Sequence, residues 1–187
     1  MTGAYTSTDR FVRTYTGRKF FYGCPERNVI AIEDIAYALA GEPRFGAHAR
    51  HRYSVAQHSV FVASVLPARL QFEGLMHDAS EAYMKDIPSP LKAYLPEYKR
   101  LELRVARVIR VNFSIPVKES PEVKHADLRM LVTEAREFMP NWEEDYPELV
   151  AAGITPYPFH PKVWTAKKAE RAFLDMFAKL SQRSMRL

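Results

Sequence analysis

The stretch from Gly74 to Pro90, GLMHDASEAYMKDIPSP, constrains this chain more than any other. Leu75, Met76, Ala79, Ala82 and Tyr83 recur at the spacing of one helical face, the pattern of a helix turned toward a core. His77 and Asp78 stand side by side in its middle, Glu81 follows one turn later, and Asp86 lies just past the end. Charges left unpaired on a buried face are costly, and their pKa values shift to neutralise them. A fold that accepts this stretch must bring compensation to it, as opposite charges or as a divalent cation. Gly74 leaves room beside the pair for another helix to come close.

The rest of the chain predicts helices to supply the partners. FVRTYTGRKFFYG alternates aromatics around Gly17 and reads as a short β-hairpin after a ragged N-terminus. IAIEDIAYALAGEP places Ile32, Ile35, Ala36 and Leu39 on one face and stops at Gly41 and Pro43. YSVAQHSVFVASVLP is a second helix, ended by Pro67, and ARLQFEGLMHDASEAYM a third. SPLKAYL reads as a short helical turn. A long amphipathic helix opens at Pro96, and another follows Ser120, a predicted N-cap, with Pro121 at its first turn. Residues 140–164 hold Pro140, Pro147, Pro156, Pro158 and Pro161 and read as an irregular segment or lid. A last helix over 165–183 is offered either to the core or to a second copy of the chain, a homo-oligomer. The expectation is an all-α helical bundle with a short N-terminal hairpin, one domain over 1–187 with its core at about 29–139.

Two of these helices carry polar residues on their apolar faces. His58 shares a face with Val55 and Val62. Asp127 shares one with Val123, Met130, Leu131 and Glu134. Two His and two Asp can thus surround one ion, and imidazole with carboxylate suits zinc, manganese, iron or cobalt better than calcium. A single inward His or Asp is ordinarily a hydrogen-bonded core residue, so the argument rests on the adjacent pair and the set. His125 reads as surface, His160 falls in the Pro-rich segment, and His48 and His51 sit in a basic loop. Cys24 is the only cysteine, which excludes an internal disulfide and a cysteine-rich zinc site.

At these residues the chain resembles the HD-domain metal-dependent phosphohydrolases, named for their adjacent His-Asp pair. The carriers are His58 in VAQHS, His77 and Asp78 in LMHDASEAY, and Asp127 in KHADL. EPRFGAH, YSVAQHS, HDASEAYMKDIPSPLK and TEAR are similar to the small bacterial and phage subgroup of 5′-deoxynucleotidases and dNTP triphosphohydrolases, over roughly residues 12–139. The resemblance implies an HD-domain bundle with metal ligation by His58, His77, Asp78 and Asp127. It implies that Glu81 holds or deprotonates the attacking water, and that Asp86 lies at the nucleotide or at a second ion such as magnesium. It implies that Arg44 and Lys92 meet phosphate and that Phe45 orients the substrate; the subgroup carries Trp at that last position. Ala82 follows Glu81 where stringent-response hydrolases carry Asp, which argues against hydrolysis of guanosine tetraphosphate.

The net charge of +5 favours anionic partners. A nucleotide satisfies it, and no helix-turn-helix, zinc finger or RNP-like pattern points to nucleic acid. No apolar run approaches a membrane span and no signal-peptide layout opens the chain, so a cytoplasmic protein is expected. The expected activity is a 5′-nucleotidase releasing phosphate from deoxynucleoside monophosphates. The alternatives are a dNTP triphosphohydrolase and, below it, a non-catalytic nucleotide-binding module.

Overall fold

The helix Val55–Val65, called α2, is buried along nearly its whole length, with the helical segments 32–41, 71–76, 121–138 and 166–184 packed on it. The computed structural model describes residues 10–184. Residues 1–9, most of the stretch expected to be ragged, and 185–187 lie outside the described residues. The hairpin forms where expected: β1 (Phe11–Arg13) pairs antiparallel with β2 (Lys19–Phe21), Val12 opposite Phe20. Gly17 takes a φ of +84° at the turn, a conformation only glycine adopts freely.

The remaining elements are α1 (Ile32–Gly41), α3 (Gln71–Met76), α4 (Glu81–Met84), α5 (Ser89–Lys92), α6 (Pro96–Asn112) and α7 (Pro121–Phe138). They are followed by α8 (Trp142–Asp145), α9 (Pro147–Ala151) and α10 (Ala166–Ser184). The chain is thus an all-α bundle with one small two-stranded sheet. Ile35, Ala36 and Leu39 are buried on the α1 face that the periodicity selects. The last helix packs on the core rather than standing free: Ala169, Phe173 and Leu180 are buried against α1, α2 and α3. With Phe20 from the hairpin, these residues extend the core beyond the expected 29–139. No helix of the described residues is long and apolar enough to cross a membrane.

Three local expectations are corrected. The third helix is not continuous. It breaks into α3 and α4 around a tight turn at 77–80, where the N–H groups of Ala79 and Glu81 reach the carbonyls of Met76 and Asp78. These i to i−3 bonds tighten the backbone to 3₁₀ geometry and change the direction in which His77, Asp78 and Glu81 point. Ser120 precedes α7, but its side chain does not cap it. Its hydroxyl and its N–H both go to the buried Glu73, at 2.6 and 2.9 Å, which also holds Arg110 at 2.5 Å. The Pro-rich segment contains α8 and α9, and its second half is strapped down. Arg136 donates to the Tyr157 and Phe159 carbonyls, Thr133 accepts from Tyr157 N–H, and Gln57 holds Lys162 and Trp164 by their backbones. Tyr157 and Phe159 cover a second small core of Val62, Leu66, Val123 and Met130.

Candidate metal centre and substrate cavity

Four sequence-predicted residues meet at one point between α2, the break after α3, and α7. One donor atom each from His58, His77 and Asp127 lies within 4.8 Å of the others. Asp78 joins them, its Oδ2 3.1 Å from His77 Nε2 and 3.7 Å from His58 Nε2. Asp127 Oδ1 is 3.1 Å from His58 Nε2 and 3.6 Å from His77 Nε2.

The imidazoles are oriented from behind. His58 Nδ1 is held by Glu134 Oε1 at 2.7 Å, and the Tyr53 hydroxyl donates to that same oxygen at 2.9 Å. His77 Nδ1 donates to the Gly74 carbonyl at 2.8 Å. A carbonyl only accepts, so Nδ1 of His77 carries the proton and the lone pair of the neutral ring lies on Nε2. That Nε2 is buried, and among the described residues it makes no hydrogen bond; the nearby carboxylates are out of line for one. Histidines that ligate metals have this arrangement, with one nitrogen fixed by an outer partner and the other facing the ion. The residues present fit a cation.

The electrostatics agree. Burial works against protonation of His77, yet the Asp78 and Asp127 carboxylates hold its pKa well above the ordinary value. Burial and the Arg44 charge oppose protonation of His58, and Glu134 and Asp127 outweigh them. Burial would raise Asp78, but His77 beside it brings it down to about 2. Burial also opposes ionisation of Asp127, while the hydrogen bond to His58 and the His77 imidazole beside it hold it well below the usual carboxylate range. The carboxylates thus demand positive charge at this point, from protons on the rings or from an ion in their place.

Above the cluster opens a cavity of about 320 Å³, within the range of small-molecule sites. Every predicted substrate-side residue lines it: Arg44, Phe45, Glu81, Asp86 and Lys92, with Asp78 and Asp127 at its foot. Arg44 is buried and ion-paired with Glu134, its Nε 3.0 Å from Oε2 but not aligned for a hydrogen bond, with Nη1 3.7 Å from Asp78. It is followed by three consecutive left-handed residues, Phe45, Gly46 and Ala47, at φ of 56°, 56° and 67°. Left-handed backbone costs a residue with a Cβ about 1–3 kcal/mol, and such strain gathers at functional sites. The turn is pinned by the bonds from Ala47 and His48 N–H to the Arg44 and Phe45 carbonyls and by Gly46 against Pro88. Burial, reinforced by Asp78 and Asp86, pushes the Glu81 carboxyl well above its ordinary pKa, and its Oε2 has no hydrogen-bond partner among the described residues. Lys92 bonds Glu102 at 2.7 Å. Glu42 fixes the exit turn, accepting from Lys85 Nζ at 2.8 Å and from Asp86 N–H at 3.2 Å.

Sequence reasoning missed four residues here. Glu134 was placed on a buried face, but nothing in a mid-helix Glu signals that it binds His58, Tyr53 and Arg44 at once. Lys124 lines the cavity and bonds Asp127 Oδ2 at 2.9 Å; its i, i+3 spacing could have found it. Tyr53 comes from the loop before α2, and Tyr146 enters the cavity wall from between α8 and α9. His125 is exposed, as expected; His160 in the Pro-rich segment is exposed too, and His48 and His51 lie outside the cavity lining.

No family model matches the chain. It is 47% identical over 128 residues to the uncharacterized protein YfdR of Escherichia coli K12, covering 68% of this chain and 72% of that protein. It is 30% identical over 124 residues to an uncharacterized protein of Rhodobacter capsulatus, 61% of this chain and 63% of the relative. A 5′-deoxynucleotidase of Photobacterium profundum matches at 34% identity over 61 residues, 30% of this chain and 31% of that enzyme.

Proposed function

From a chain that belongs to the same family as Escherichia coli YfdR and gathers two imidazoles and two carboxylates under a cation-bearing cavity, we propose a metal-dependent nucleotide phosphohydrolase of the HD type. The observation that carries the reading is the pair of histidines, each fixed through Nδ1 with Nε2 turned to the same carboxylates. The partial match to a 5′-deoxynucleotidase supports the same class.

In this reading His58, His77, Asp78 and Asp127 hold one divalent transition ion: zinc, manganese, cobalt or iron. Such an ion supplies Lewis acidity, making water a better nucleophile at neutral pH and offsetting charge on a phosphoryl oxygen. Glu81, which lines the cavity beside Asp78 and whose Oε2 has no hydrogen-bond partner among the described residues, takes the water proton as general base. Arg44, ion-paired with Glu134, presents its guanidinium to the phosphoryl oxygens, and Lys92 adds a point charge. Phe45 and Tyr146 offer ring faces to the sugar or base. Asp86 faces the nucleotide or a second ion such as magnesium.

The charge inventory favours a monophosphate. The lining cations are Arg44, Lys92 and Lys124, and each already has a carboxylate partner. Four acidic residues, Asp78, Glu81, Asp86 and Asp127, line the same cavity. That balance suits one phosphate beside an ion better than the four negative charges of a triphosphate. The substrate we assign is therefore a deoxynucleoside 5′-monophosphate.

Product analysis tests this. Metal-reconstituted protein is incubated with ribo- and deoxynucleoside mono- and triphosphates, with Asp78→Ala as control. Nucleoside plus inorganic phosphate from the monophosphates, lost in Asp78→Ala, is the expected result. Nucleoside plus triphosphate would replace the assigned substrate. No metal-dependent turnover of either set would leave a module that binds without hydrolysing.

A further inference from the structure

The chain leaves α4 through Lys85, whose backbone sits at φ 74° and ψ 151°. That combination is essentially confined to glycine, and a residue with a Cβ keeps it only where its surroundings over-determine it. Hydrogen bonds on both sides of Lys85 do so. Its N–H donates to the Glu81 carbonyl at 2.8 Å, and its carbonyl accepts from Ile87 N–H at 3.1 Å. The Tyr98 hydroxyl shares its proton between the Met84 and Lys85 carbonyls, at 2.6 and 3.0 Å. Glu42 spans the strained residue: Oε2 accepts from Lys85 Nζ at 2.8 Å and Oε1 from Asp86 N–H at 3.2 Å.

The two bonds from Glu42 differ in worth. The Lys85 side chain is 61% exposed, so its ion pair contributes little. The bond to the Asp86 amide reaches it from a fixed point. Glu42 is nearly buried at the end of α1, its N–H donating to the Ala38 carbonyl and its carbonyl accepting from Val55 N–H, both at 3.0 Å. Glu42 is not in the lining of the cavity above the two histidines, whereas Asp86 is. Arg44, two residues after Glu42, lines that cavity too, its N–H fixed on the Tyr53 carbonyl at 2.8 Å. One short segment thus sets two parts of the wall, Arg44 through its own backbone and Asp86 through the Glu42 carboxylate.

We infer that Glu42 is a positioning residue for Asp86: its carboxylate holds the turn at Lys85 in the glycine-type conformation that presents Asp86 to the cavity. The strain at Lys85 is the cost of that presentation. The functional half of the inference rests on the proposed meeting of Asp86 with the nucleotide; the turn itself is tested without substrate.

Melting reads the strain. Lys85→Ala and Lys85→Gly both lose the ion pair, and only glycine relieves the backbone. Lys85→Gly should melt about 2–4 °C above Lys85→Ala. The same two changes at Lys179, exposed within α10, should melt in the opposite order, because glycine weakens a helix relative to alanine. Amide hydrogen exchange reads the bond. Asp86 N–H should lose about tenfold of its protection in Glu42→Ala and keep it in Glu42→Gln, which retains an acceptor oxygen. Kinetics of the metal-reconstituted protein read the consequence. Glu42→Ala should raise KM for the nucleotide toward that of Asp86→Ala with kcat little changed, Glu42→Gln should restore it, and Glu42→Ala should add nothing to Asp86→Ala. Alanine melting at or above glycine at position 85, or undiminished Asp86 protection in Glu42→Ala, overturns the strained turn. An unchanged KM in folded Glu42→Ala, or an additive rise in the double variant, overturns the positioning role. If no nucleotide is turned over while the melting order and the loss of protection hold, the turn stands and the phosphohydrolase reading alone fails.

Discussion

The two histidines of the candidate metal cluster face the same carboxylates but are held in different ways. His58 sits inside an unbroken helix, and a side chain on another helix, Glu134, fixes its ring. His77 sits where a helix breaks, and its own backbone fixes it through the Gly74 carbonyl. The first position depends on a buried charge network that includes Tyr53 and Arg44. The second sits where α3 packs on α2: a Cβ on Gly74 would run into the buried Leu66 Cδ1 and stand in contact, at 3.4 Å, with Ala63 Cα. One half of the site is built from electrostatics, the other from packing, and different substitutions should break them.

The largest effect is expected from Glu134→Ala. It leaves Arg44 and His58 buried without their counter-charge and frees the Tyr53 hydroxyl. Removing one partner of a buried ion pair costs about 3–5 kcal/mol, readable in denaturant unfolding. Loss of a partner behind a ligand costs about 10–100-fold in metal affinity, readable by chelator competition. Full retention of both would mean that His58 is fixed by helix packing alone. On the other side, Gly74→Ala should cost about 1–3 kcal/mol as an overpacked contact, with a fall in metal affinity as α3 moves off α2. Gly41→Ala is the control. Nothing lies within 4 Å of its added Cβ, and it should change stability by under about 1 kcal/mol without touching the metal. If Gly74→Ala weakens folding but leaves metal affinity intact, the break at 77–80 places His77 independently of helix approach.

Tyr53→Phe probes the network more gently. It removes one bond to the Glu134 carboxylate and should cost about 1.5 kcal/mol in stability. Metal affinity should fall by less than in Glu134→Ala, because Glu134 keeps both Arg44 and His58.

The same contrast governs what could be read from the chain. His58 and Asp127 lie on regular helices, so periodicity aimed them correctly, as it did Ile35, Ala36 and Leu39. The hairpin at Gly17 and the stop at Gly41 are local chemistry and were legible for that reason. The break at 77–80 was not, because five apolar residues at helical spacing mask a turn that only tertiary bonding imposes. Nor was Glu134, whose three partners come from two other parts of the chain. Tyr146 and the strap at 155–164 depend on Thr133, Arg136 and Gln57, residues whose side chains carry no signal of such contacts.

The smallest effects are expected at the rim, where the two anchoring modes no longer apply. Lys92 is partly exposed and paired with Glu102, a contact worth under about 1 kcal/mol. Lys92→Ala should therefore leave Tm nearly unchanged and raise KM for the nucleotide found by product analysis. The companion change gives the sharper reading. If Lys92 receives the phosphate as proposed, the phosphate must compete with Glu102, which holds the lysine amine at 2.7 Å. Glu102→Gln weakens the competitor while keeping its shape, so KM should fall, by a few-fold if the pair is worth about 1 kcal/mol. A rise in KM instead would mean that Glu102 positions the lysine for substrate. The rim would then be preorganised in the way the floor is around Arg44 and Glu134, and the difference between the two regions would be one of exposure alone.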